Sequence, residues 1–453
     1  MTLPPRRRRG MTSKVWLEGA LADVPGEPFG DSLIKWKMGL PEALREVVNR
    51  IATAGGGIWL VGGSVREAIL GRKQNDYDLA TTLHPDTLLN EIFPNSLPTG
   101  VQFGTVTVRI EGYKEMFEVT TLRTESEYGD GRRPDIVDFG TSLEIDLSRR
   151  DFTMNAIAVD LSRELIHDPF NGMSDLVTQN LKAVGTAKQR LGEDGLRILR
   201  GYRFMDQGEL GIWEPDIELE NALRKQHKML EKVANERIWV EFAKILRGVN
   251  AAFVLERMRS DGILSQILPG WDADTALQHI LEISSEDVAI CRLVLLAVEV
   301  PHTRWRILEH DLRTLTLSNQ NRKRFMNIHR LIGHLPNPND EAELRRYRMG
   351  SGEYLDSHLA IEATLQPDMC ELIKTALAKL PALRAGDKPL LNGHAIAAAT
   401  GLPMGRRLGK LKEWLFRMQI ESNLADTTSV LTLLDVIDWA GGDPELWPGP
   451  EWP

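Results

Sequence analysis

The pattern of hydrophobic and polar positions predicts helices and strands in alternation near the start of the chain. Residues 40–55 place apolar side chains at helical spacing and end at a glycine, which predicts an amphipathic helix. Residues 57–63, GIWLVGG, predict a buried strand followed by a turn, and residues 64–72 predict a second helix. Because Ser64 and Glu67 have the S-x-x-E spacing of a capping box, this helix is expected to begin at Ser64.

The same pattern continues and then becomes helical. DYDLAT predicts a strand and HPDTLLNEIF a helix, whereas GTVTVRI and MFEVTTLR predict two strands that pair with each other. After about residue 180 the spacing of apolar residues is helical to the end of the chain. The predicted fold class is therefore α+β, a small mixed sheet followed by helical domains.

Length and composition are typical of a globular protein with more than one core. The 453 residues are 42% apolar and 26% charged, and such a length suggests roughly two to four domains. No apolar run approaches the ~20 residues that cross a bilayer, so no membrane partner is expected. Cys291 and Cys370 lie far apart without a CxxC motif, and we expect both to be buried and reduced, as in a cytoplasmic protein.

Charge leaves nucleic-acid binding open. The net charge of −9 argues against a protein coated in basic residues, but a local basic stripe is enough to bind RNA. The first ten residues, MTLPPRRRRG, are not expected to fold by themselves. They fit a basic arm, a remnant of a targeting segment, or sequence upstream of a start at Met11, and we assign them no function.

Two short motifs provide candidate chemistry for phosphate transfer. Gly62 and Gly63, between a strand and a helix, offer backbone N–H groups to a phosphate. Asp76 and Asp78 would share one face of a strand, where two carboxylates repel each other unless a cation such as Mg²⁺ lies between them. Glu118 on another strand is the candidate third acid for metal-dependent nucleotidyl transfer. The alternatives are a solvated turn for the aspartates and an outward-facing position for Glu118.

The stretch VGGSVREAILGRKQNDYDLAT resembles the signature of the DNA polymerase β-like nucleotidyltransferases. It is most similar to class II tRNA nucleotidyltransferases and the related bacterial poly(A) polymerases, in which a strand, Gly-Gly, a helix and D-x-D follow in this order. The resemblance implies that Asp76 and Asp78 hold the metal ions. It also implies that Gly62, Gly63 and Arg66 belong to the nucleotide site.

A second motif concerns the incoming nucleotide. RRDFTMNAIA resembles the family motif that contacts the ribose and the triphosphate, which implies contacts from Arg150, Asp151 and Asn155. Independently of the family, adjacent arginines suit triphosphate oxygens, and an Asp or Asn can accept a hydrogen bond from a 2′-OH. DPFNGMSDL resembles the motif that follows the catalytic domain, where Asp168 and Gly172 are expected to be structural.

The stretch GEDGLRILRGYRF offers a means of choosing the base. Three residues apart on a helix, Asp194 and Arg197 would share a face. The carboxylate can accept from the exocyclic amine of C or A, and the guanidinium can donate to the unprotonated ring nitrogen, whereas G and U mismatch both. The family's E-D-x-x-R motif has this template role, and the resemblance adds Glu193 and Arg200 to the nucleotide contacts. The alternative is an ordinary helix with a Glu193–Arg197 ion pair.

The resemblance is close over residues 57–250 and thinner at 315–325 and 389–415. In ANERIWVEFAKIL it implies that Arg237 and Glu241 brace the template helix. The domains that it implies are a disordered arm (1–30), a catalytic head (31–160), a helical neck with the base-recognition helix (161–250), a helical body (251–380) and a tRNA-binding tail (381–453).

The tail contains GRRLGKLK, a basic stretch near a turn. Its cations could bind the tRNA backbone without reading sequence, and a solvated helix face is the alternative; they are Arg406, Arg407, Lys410 and Lys412.

The function implied by the resemblance is template-independent addition of C, C and A to the tRNA 3′ end. CTP and ATP would be the substrates, Mg²⁺ the cofactor, pyrophosphate the leaving product, and the tRNA acceptor and T arm the surfaces bound. Residues 124–148 match the full-length flexible loop of complete CCA-adding members, and the acidic chain end differs from the basic extension of poly(A) polymerases.

The alternatives are CC-only or A-only addition, poly(A) synthesis, and a degenerate RNA-binding module. A plain two-metal nuclease would leave the base-reading residues unexplained. The sequence does not disclose the oligomeric state or further RNA substrates.

Overall fold

The structure is a computed structural model that describes residues 19–74, 76–126, 136–271 and 288–453. The chain divides into two compact units. The first comprises Met1–Phe242 with Arg257–Gln266, and the second comprises Ala243–Glu256 with Ile267–Pro453. The five-part division implied by the resemblance stays a prediction.

A mixed sheet dominates the first unit, which confirms the predicted α+β class. The strands of the described residues are β1 (Glu27–Pro28), β2 (Ile58–Val61), β3 (Asp78–Thr81), β4 (Leu97–Gly100), β5 (Thr105–Arg109), β6 (Met116–Thr121), β7 (Arg123–Ser126), β8 (Ile136–Phe139), β9 (Ala158–Asp160), β10 (Leu165–His167), β11 (Asn180–Leu181) and β12 (Glu214–Pro215). Eight of them form one sheet in the order β1-β10-β9-β2-β3-β6-β5-β4. Among the described strands of this sheet, only β3 and β6 pair in parallel, and the predicted pairing of β5 with β6 is confirmed and is antiparallel.

The α-helices of the described residues are α1 (Asp31–Met38), α2 (Glu42–Thr53), α3 (Gly63–Ile69), α4 (Pro85–Thr87), α5 (Leu143–Ser148), α6 (Gly172–Thr178), α7 (Ala187–Glu193), α8 (Leu196–Met205), α9 (Ile217–Lys225), α10 (Asn235–Arg247), α11 (Ala251–Ser260), α12 (Ile263–Ile267), α13 (Val288–Leu296), α14 (Trp305–Thr314), α15 (Asn319–Leu331), α16 (Glu341–Ser351), α17 (Leu355–Leu365), α18 (Pro367–Lys379), α19 (Gly393–Thr400), α20 (Arg406–Glu421) and α21 (Thr427–Leu431). A π-helical turn, Leu88–Ile92, continues α4. Short 3₁₀ turns include Thr153–Asn155 and His227–Lys232.

Strand β2 is the central buried strand of the head. All four of its residues are buried, as expected for a strand with neighbours on both sides and side chains covered on both faces. Trp59 belongs to a core cluster with Leu143, Leu147 and Ala158. The sheet continues to His167 in β10, which lies beyond the predicted head boundary at residue 160.

Residues 19–30 are ordered, which corrects the prediction of a disordered arm over 1–30. Strand β1 pairs with β10, and Val24 is buried in the head core. Asp23 Oδ1 accepts from the backbone N–H groups of Leu143 (2.8 Å) and Glu144 (3.2 Å) at the start of α5. Backbone pairing and buried apolar area offset the entropy lost on ordering this segment. Residues 1–18 lie outside the described residues.

The predicted capping box at Ser64 is wrong. Helix α3 begins at Gly63, and no side chain caps it. Ser64 Oγ donates instead to the carbonyl oxygen of Val61, and Glu67 accepts from Arg66 and Arg72. The chain turns so tightly after β2 that the hydroxyl bonds back to the strand.

The second unit, within its described residues, is built from helices, and its buried apolar side chains include two separate clusters. One cluster packs Tyr347 and Ile373 against Trp452, and the other packs Leu411 and Leu415 against Trp447. Both cysteines are buried and free, as predicted. Among the residues that the structure describes, no helix has the length and apolar character needed to cross a membrane.

Candidate active site

The turn between β2 and α3 brings a cation and an anion against one glycine. Gly62 has φ +73°, a left-handed conformation that favours glycine. A Cβ atom at Gly62 would lie 3.2 Å from Arg150 Nη1 and 3.6 Å from Asp78 Oδ2. The structure therefore places three of the sequence-predicted site residues around one point.

Three carboxylates lie at the start of the paired strands β3 and β6. Asp78 is the first residue of β3 and stands opposite Glu118 in the parallel register. The predicted strand face shared by Asp76 and Asp78 is wrong, because Asp76 precedes the strand. Val61, the partner of Asp78, ends β2, so no β2 residue remains to pair with Asp76. All three carboxylates nevertheless line one open pocket of about 720 Å³.

The mutual repulsion of these carboxylates disfavours their charged forms. Asp78 is exposed at the mouth of this pocket, yet partial desolvation of its carboxyl raises the pKa, with Arg150 opposing the rise and Asp76 adding to it. Burial, Asp78 and Asp76 raise the pKa of Glu118. A cation among them would relieve this cost, which is the chemistry of a divalent-metal site. In the described ranges, no three His, Cys, Asp or Glu side chains could hold a metal ion by themselves. Substrate phosphates would have to complete the ligand set.

Arg150 forms an ion pair with the buried carboxylate of Asp146. Arg150 Nη2 lies 3.2 Å from Asp146 Oδ2, and Arg149 Nη2 lies 2.6 Å from Asp146 Oδ1. Burial alone would raise the pKa of Asp146, but the two guanidiniums hold it below its ordinary value. Arg150 Nε is buried and has no hydrogen-bond partner among the described residues, so it keeps a donor for an anion.

Sequence reasoning missed Asp146. The available signal was its helical spacing, three and four residues before the two arginines.

Four other predicted contact residues form one buried network. Asn155 Nδ2 donates to Asp151 Oδ1 over 2.9 Å, and Asn155 Oδ1 accepts from Arg66. Arg200 Nη2 lies 2.5 Å from Asp151 Oδ2. Burial opposes the charge of Asp151, yet Arg200 and Asn155 lower its pKa well below the ordinary value. Both oxygens of Asp151 are thus bonded within the protein, where they orient Asn155 and Arg200.

Phe204 supports this network and was also missed. Its ring lies under the guanidinium carbons of Arg203 at 4.0 Å, Arg66 at 4.9 Å and Arg200 at 5.4 Å. Glu241 pairs with Arg203 over 2.7 Å on the far side of the network. The predicted bracing by Glu241 is therefore present. The contact of one aromatic ring with three arginines could not be predicted from the spacing of residues in the sequence.

Asp194 does not lie on the helix that carries Arg197, which corrects the prediction of a shared helix face. Helix α7 ends at Glu193 and α8 begins at Leu196, while Asp194 is extended (φ −142°, ψ 110°). Gly195 follows the break, and a Cβ atom there would lie 2.3 Å from the carbonyl oxygen of Met229, so glycine permits a close approach of the two segments. This contact between distant segments accompanies a break in a stretch whose sequence pattern is helical.

Both ends of the predicted base-reading pair are anchored. Asp194 Oδ2 accepts from Arg237 over 2.7 Å, and Oδ1 accepts from the N–H of Leu196 over 3.0 Å. The predicted bracing by Arg237 is therefore a direct contact. A carboxylate has about four lone-pair directions, so Asp194 can still accept from a base.

Arg197 connects this segment to the phosphate side of the site. Its Nη2 donates to the carbonyl oxygen of Arg149 over 2.9 Å, next to Arg150. Its Nη1 donates to Glu193 (2.6 Å) and to the Arg190 carbonyl (2.8 Å), so the alternative Glu193–Arg197 pair is present as well. A guanidinium carries five N–H groups, and these three bonds leave others for a ligand.

Comparison with known proteins decides the family. A sequence profile described as "Poly A polymerase head domain" matches residues 58–182, and one described as "Probable RNA and SrmB- binding site of polymerase A" matches residues 214–275. The chain is 34% identical over 406 residues to the CCA-adding enzyme of Lactobacillus johnsonii, across 87% of this chain and 97% of that protein. The chain belongs to the CCA-adding enzyme family. It is therefore a nucleotidyltransferase, as the motifs predicted.

Other CCA-adding enzymes agree in sequence and fold. The enzyme of Enterococcus faecalis is 44% identical over 214 residues, which cover 47% of this chain and 51% of that protein. The Bacillus stearothermophilus CCA-adding enzyme, solved in complex with CTP, is similar with a TM-score of 0.66 and 25% identity over 90% of this chain and 98% of that one. The Thermotoga maritima enzyme with tRNA shares the fold at 18% identity, with a TM-score of 0.60 over 94% of this chain and 98% of that one.

Two further predictions concern Asp168 and the loop in residues 124–148. Asp168 is structural as expected, because its two oxygens accept from the N–H groups of Gly172 and Met173 at the start of α6. In the stretch 124–148, β7 pairs with β8 and α5 follows. Its predicted mobile tip, within residues 127–135, lies outside the described residues.

The predicted tRNA-binding cations of the tail mostly have partners within the chain. Arg406 pairs with Glu445 over 2.9 Å and Lys410 with Glu413 over 3.1 Å. Arg407 Nη1 donates to the Ala440 carbonyl over 2.7 Å. Lys412 has no ion pair among the described residues. The tRNA site here stays a prediction, and these partners reduce the charge that the stretch offers to a phosphate.

Proposed function

We propose that this chain adds C, C and A to the 3′ end of tRNA, using CTP and ATP and releasing pyrophosphate. The observation that carries the proposal is the meeting of Arg150 and Asp78 at Gly62, where a triphosphate and a metal-binding carboxylate would be adjacent. The CTP complex of one relative and the tRNA complex of another support the same substrates. The reaction would take place in the cytoplasm, where the two buried thiols remain reduced.

The residues around Gly62 would bind and orient the triphosphate. Gly62 lets a phosphate approach the backbone, and Arg150 supplies a charge-assisted donor whose direction is set by Asp146. Asn155, fixed by Arg66 and Asp151, would accept from the ribose 2′-OH. Gly63 begins the same helix turn. Because these groups are oriented before the substrate binds, little reorganisation is needed at the moment of transfer.

Asp76 and Asp78 would hold Mg²⁺ together with the substrate phosphates. When bound, Mg²⁺ neutralises the triphosphate and lowers the pKa of the attacking hydroxyl. The repelling carboxylates, with their raised pKa values at Asp78 and Glu118, fit a divalent cation. Glu118, opposite Asp78, would accept the proton of the 3′-OH, since its raised pKa makes it a better base than an ordinary carboxylate.

Asp194 and Arg197 would choose the base. Asp194 would accept from the exocyclic amine of cytosine or adenine, and Arg197 would donate to the ring nitrogen. Glu193 would contribute by holding Arg197 in place, and Arg200 would contribute by holding Asp151 in place.

Single-nucleotide assays test this function directly. Three tRNA transcripts, ending at the discriminator base, after CC and after CCA, are incubated with Mg²⁺ and with each nucleoside triphosphate separately. We expect CTP to extend only the first transcript, by two residues, ATP to extend only the second, and neither to extend the third. Extension with ATP alone into a long tract would indicate a poly(A) polymerase, and no extension of any transcript would refute the proposal.

A further inference from the structure

The pocket beside the three carboxylates is lined by residues other than those proposed to bind the triphosphate and the base, apart from Asp78. It has a volume of about 720 Å³, enough for a nucleoside, and its described lining includes Tyr77, Glu115 and Met116 in addition to the carboxylates. Of the described residues, neither Gly62 nor Arg150 lines it. Asp78 lines the pocket and its Oδ2 also lies close to Gly62, so its carboxylate is common to the two regions.

The proposed base-reading residues, Asp194 and Arg197, are not among the described residues that line this pocket. Arg197 is bonded to the Arg149 carbonyl, and the neighbouring Arg150 faces Gly62. An incoming nucleotide with its phosphates at Gly62 and its base near Arg197 would leave this pocket unfilled. Transfer requires a second reactant at the same carboxylates, namely the hydroxyl that attacks the α-phosphate.

The chemistry of the pocket favours a nucleoside over a phosphate group. Asp76, Asp78, Glu115 and Glu118 line it without a hydrogen bond or ion pair to any residue that the structure describes. Such carboxylates repel phosphates but accept hydrogen bonds from ribose hydroxyls and base amines.

Tyr77 supplies an aromatic surface in the same pocket. Its ring is half-buried, 6.4 Å from the buried ring of Phe117 at an interplanar angle of 52°. Its hydroxyl has no hydrogen-bond partner in the described ranges.

We propose that this pocket receives the 3′-terminal nucleoside of the RNA acceptor and that the ring of Tyr77 stacks on its base. The inference rests on the proposed function and names the acceptor subsite of that reaction. Stacking suits this task because the terminal base differs at each step of CCA addition, and an aromatic ring binds every base face. Tyr77 lies between Asp76 and Asp78, so the stacked nucleoside has its 3′-OH beside the metal-binding carboxylates.

Binding without catalysis provides the first test. An acceptor-stem minihelix carrying 2-aminopurine at its 3′ end is titrated with enzyme at low salt, without divalent metal or nucleotide. We expect strong quenching with the wild type, with Tyr77→Phe and with the control Tyr113→Ala, a tyrosine that does not line the pocket. Tyr77→Ala should lose most of the quenching while melting at the wild-type temperature. Equal quenching by Tyr77→Ala and wild type would overturn the proposal.

Steady-state kinetics provides the second test. Tyr77→Ala should raise KM for tRNA ending in CC by about tenfold, and Tyr77→Phe should restore it. KM for ATP should stay the same, and a rise in that KM in place of the tRNA value would assign the pocket to the incoming nucleotide. A wild-type enzyme that extends tRNA but shows quenching independent of Tyr77 would remove only this inference. Quenching that depends on Tyr77 in a protein unable to extend any transcript would remove only the proposed function.

Discussion

Arg237 and Asp194, 43 residues apart in sequence, form an ion pair in which Nη2 lies 2.7 Å from Oδ2. The pair fixes the Asp194 carboxylate at a break between two helices, where the backbone alone would leave it free to rotate. Together with the N–H of Leu196, Arg237 keeps both oxygens oriented as hydrogen-bond acceptors. Selection among nucleotides should therefore depend on the polarity of this carboxylate.

Asp194→Asn should lower discrimination against UTP. The amide keeps the size of the carboxylate but offers N–H₂, which matches the carbonyl that uracil has in place of the cytosine amine. The measurement is kcat/KM for CTP, ATP, UTP and GTP with the matching tRNA transcripts. Arg197→Ala is the comparison variant, and it should weaken CTP and ATP together by about 1–3 kcal/mol. If the ratio of kcat/KM for CTP to that for UTP is unchanged in Asp194→Asn, Asp194 does not select the base.

Asp78→Asn and Glu118→Gln should stabilise the metal-free protein and abolish transfer. The folded-state pKa of each carboxyl is raised, so its charged form destabilises the fold at neutral pH. This cost is fully present above the folded-state pKa and is lost as the pH falls from that value to the unfolded-state pKa. In EDTA, both variants should melt above the wild type at about pH 7, and the difference should shrink toward about pH 4.

Glu111→Gln, at an exposed position in the loop between β5 and β6, is the matched control and should change neither property. Asp76→Ala should likewise fold and lose transfer with both CTP and ATP. More than about a tenth of wild-type turnover in Asp76→Ala or Asp78→Asn would contradict the metal-binding role, and the same result in Glu118→Gln would contradict its role as the proton acceptor.

Asp146→Asn should weaken nucleotide binding through Arg150. Asp146 is buried and paired with two guanidiniums, so its loss should cost about 3 kcal/mol of stability. Its pKa is lowered in the fold, so this stability is present above the unfolded pKa and is lost as the pH falls through the folded one. KM for CTP and ATP should rise by about tenfold, because Arg150 loses its orientation.

The control for this variant is Asp160→Asn, which breaks a similarly buried pair with Arg163. It should cost comparable stability and leave both KM values unchanged. Equal KM effects in the two variants would mean that Asp146 acts through stability alone.

Deletion of Tyr128–Arg133 should spare addition of the two cytidines and impair addition of the terminal adenosine. This expectation rests on two features of the loop. Its length matches that of the corresponding loop in family members that add the complete CCA, and its tip contains a D-G turn. The measurement is CTP incorporation on the discriminator-ended transcript and ATP incorporation on the CC-ended transcript. A parallel loss of both activities would assign the loop a purely structural role.

Local sequence patterns were sufficient to predict the main strands of the catalytic head. The apolar run before Gly62 and the alternation in MFEVTTLR each depend on neighbours in sequence, and β2 and β6 form where they were expected. Glu118 was a candidate from its position on a strand, and the structure aligns it with Asp78.

Contacts between distant segments could not be predicted in this way. The close approach of Gly195 to the Met229 carbonyl and the pairing of buried Asp151 with Arg200 both join segments far apart in sequence, so neither leaves a local signal. Ser64 failed as a cap for a related reason, because S-x-x-E spacing does not reveal that the hydroxyl has a nearer acceptor in Val61.

Strand β1 is only two residues long, yet it covers the outer edge of β10. Removing residues 19–30 would expose an unpaired row of backbone donors and acceptors, which is a template for strand addition between molecules. A shortened protein that starts at residue 31 should therefore self-associate and precipitate, whereas one that starts at Met11 keeps this protection. We therefore expect the first dozen described residues to protect this edge of the sheet from aggregation, a role separate from catalysis.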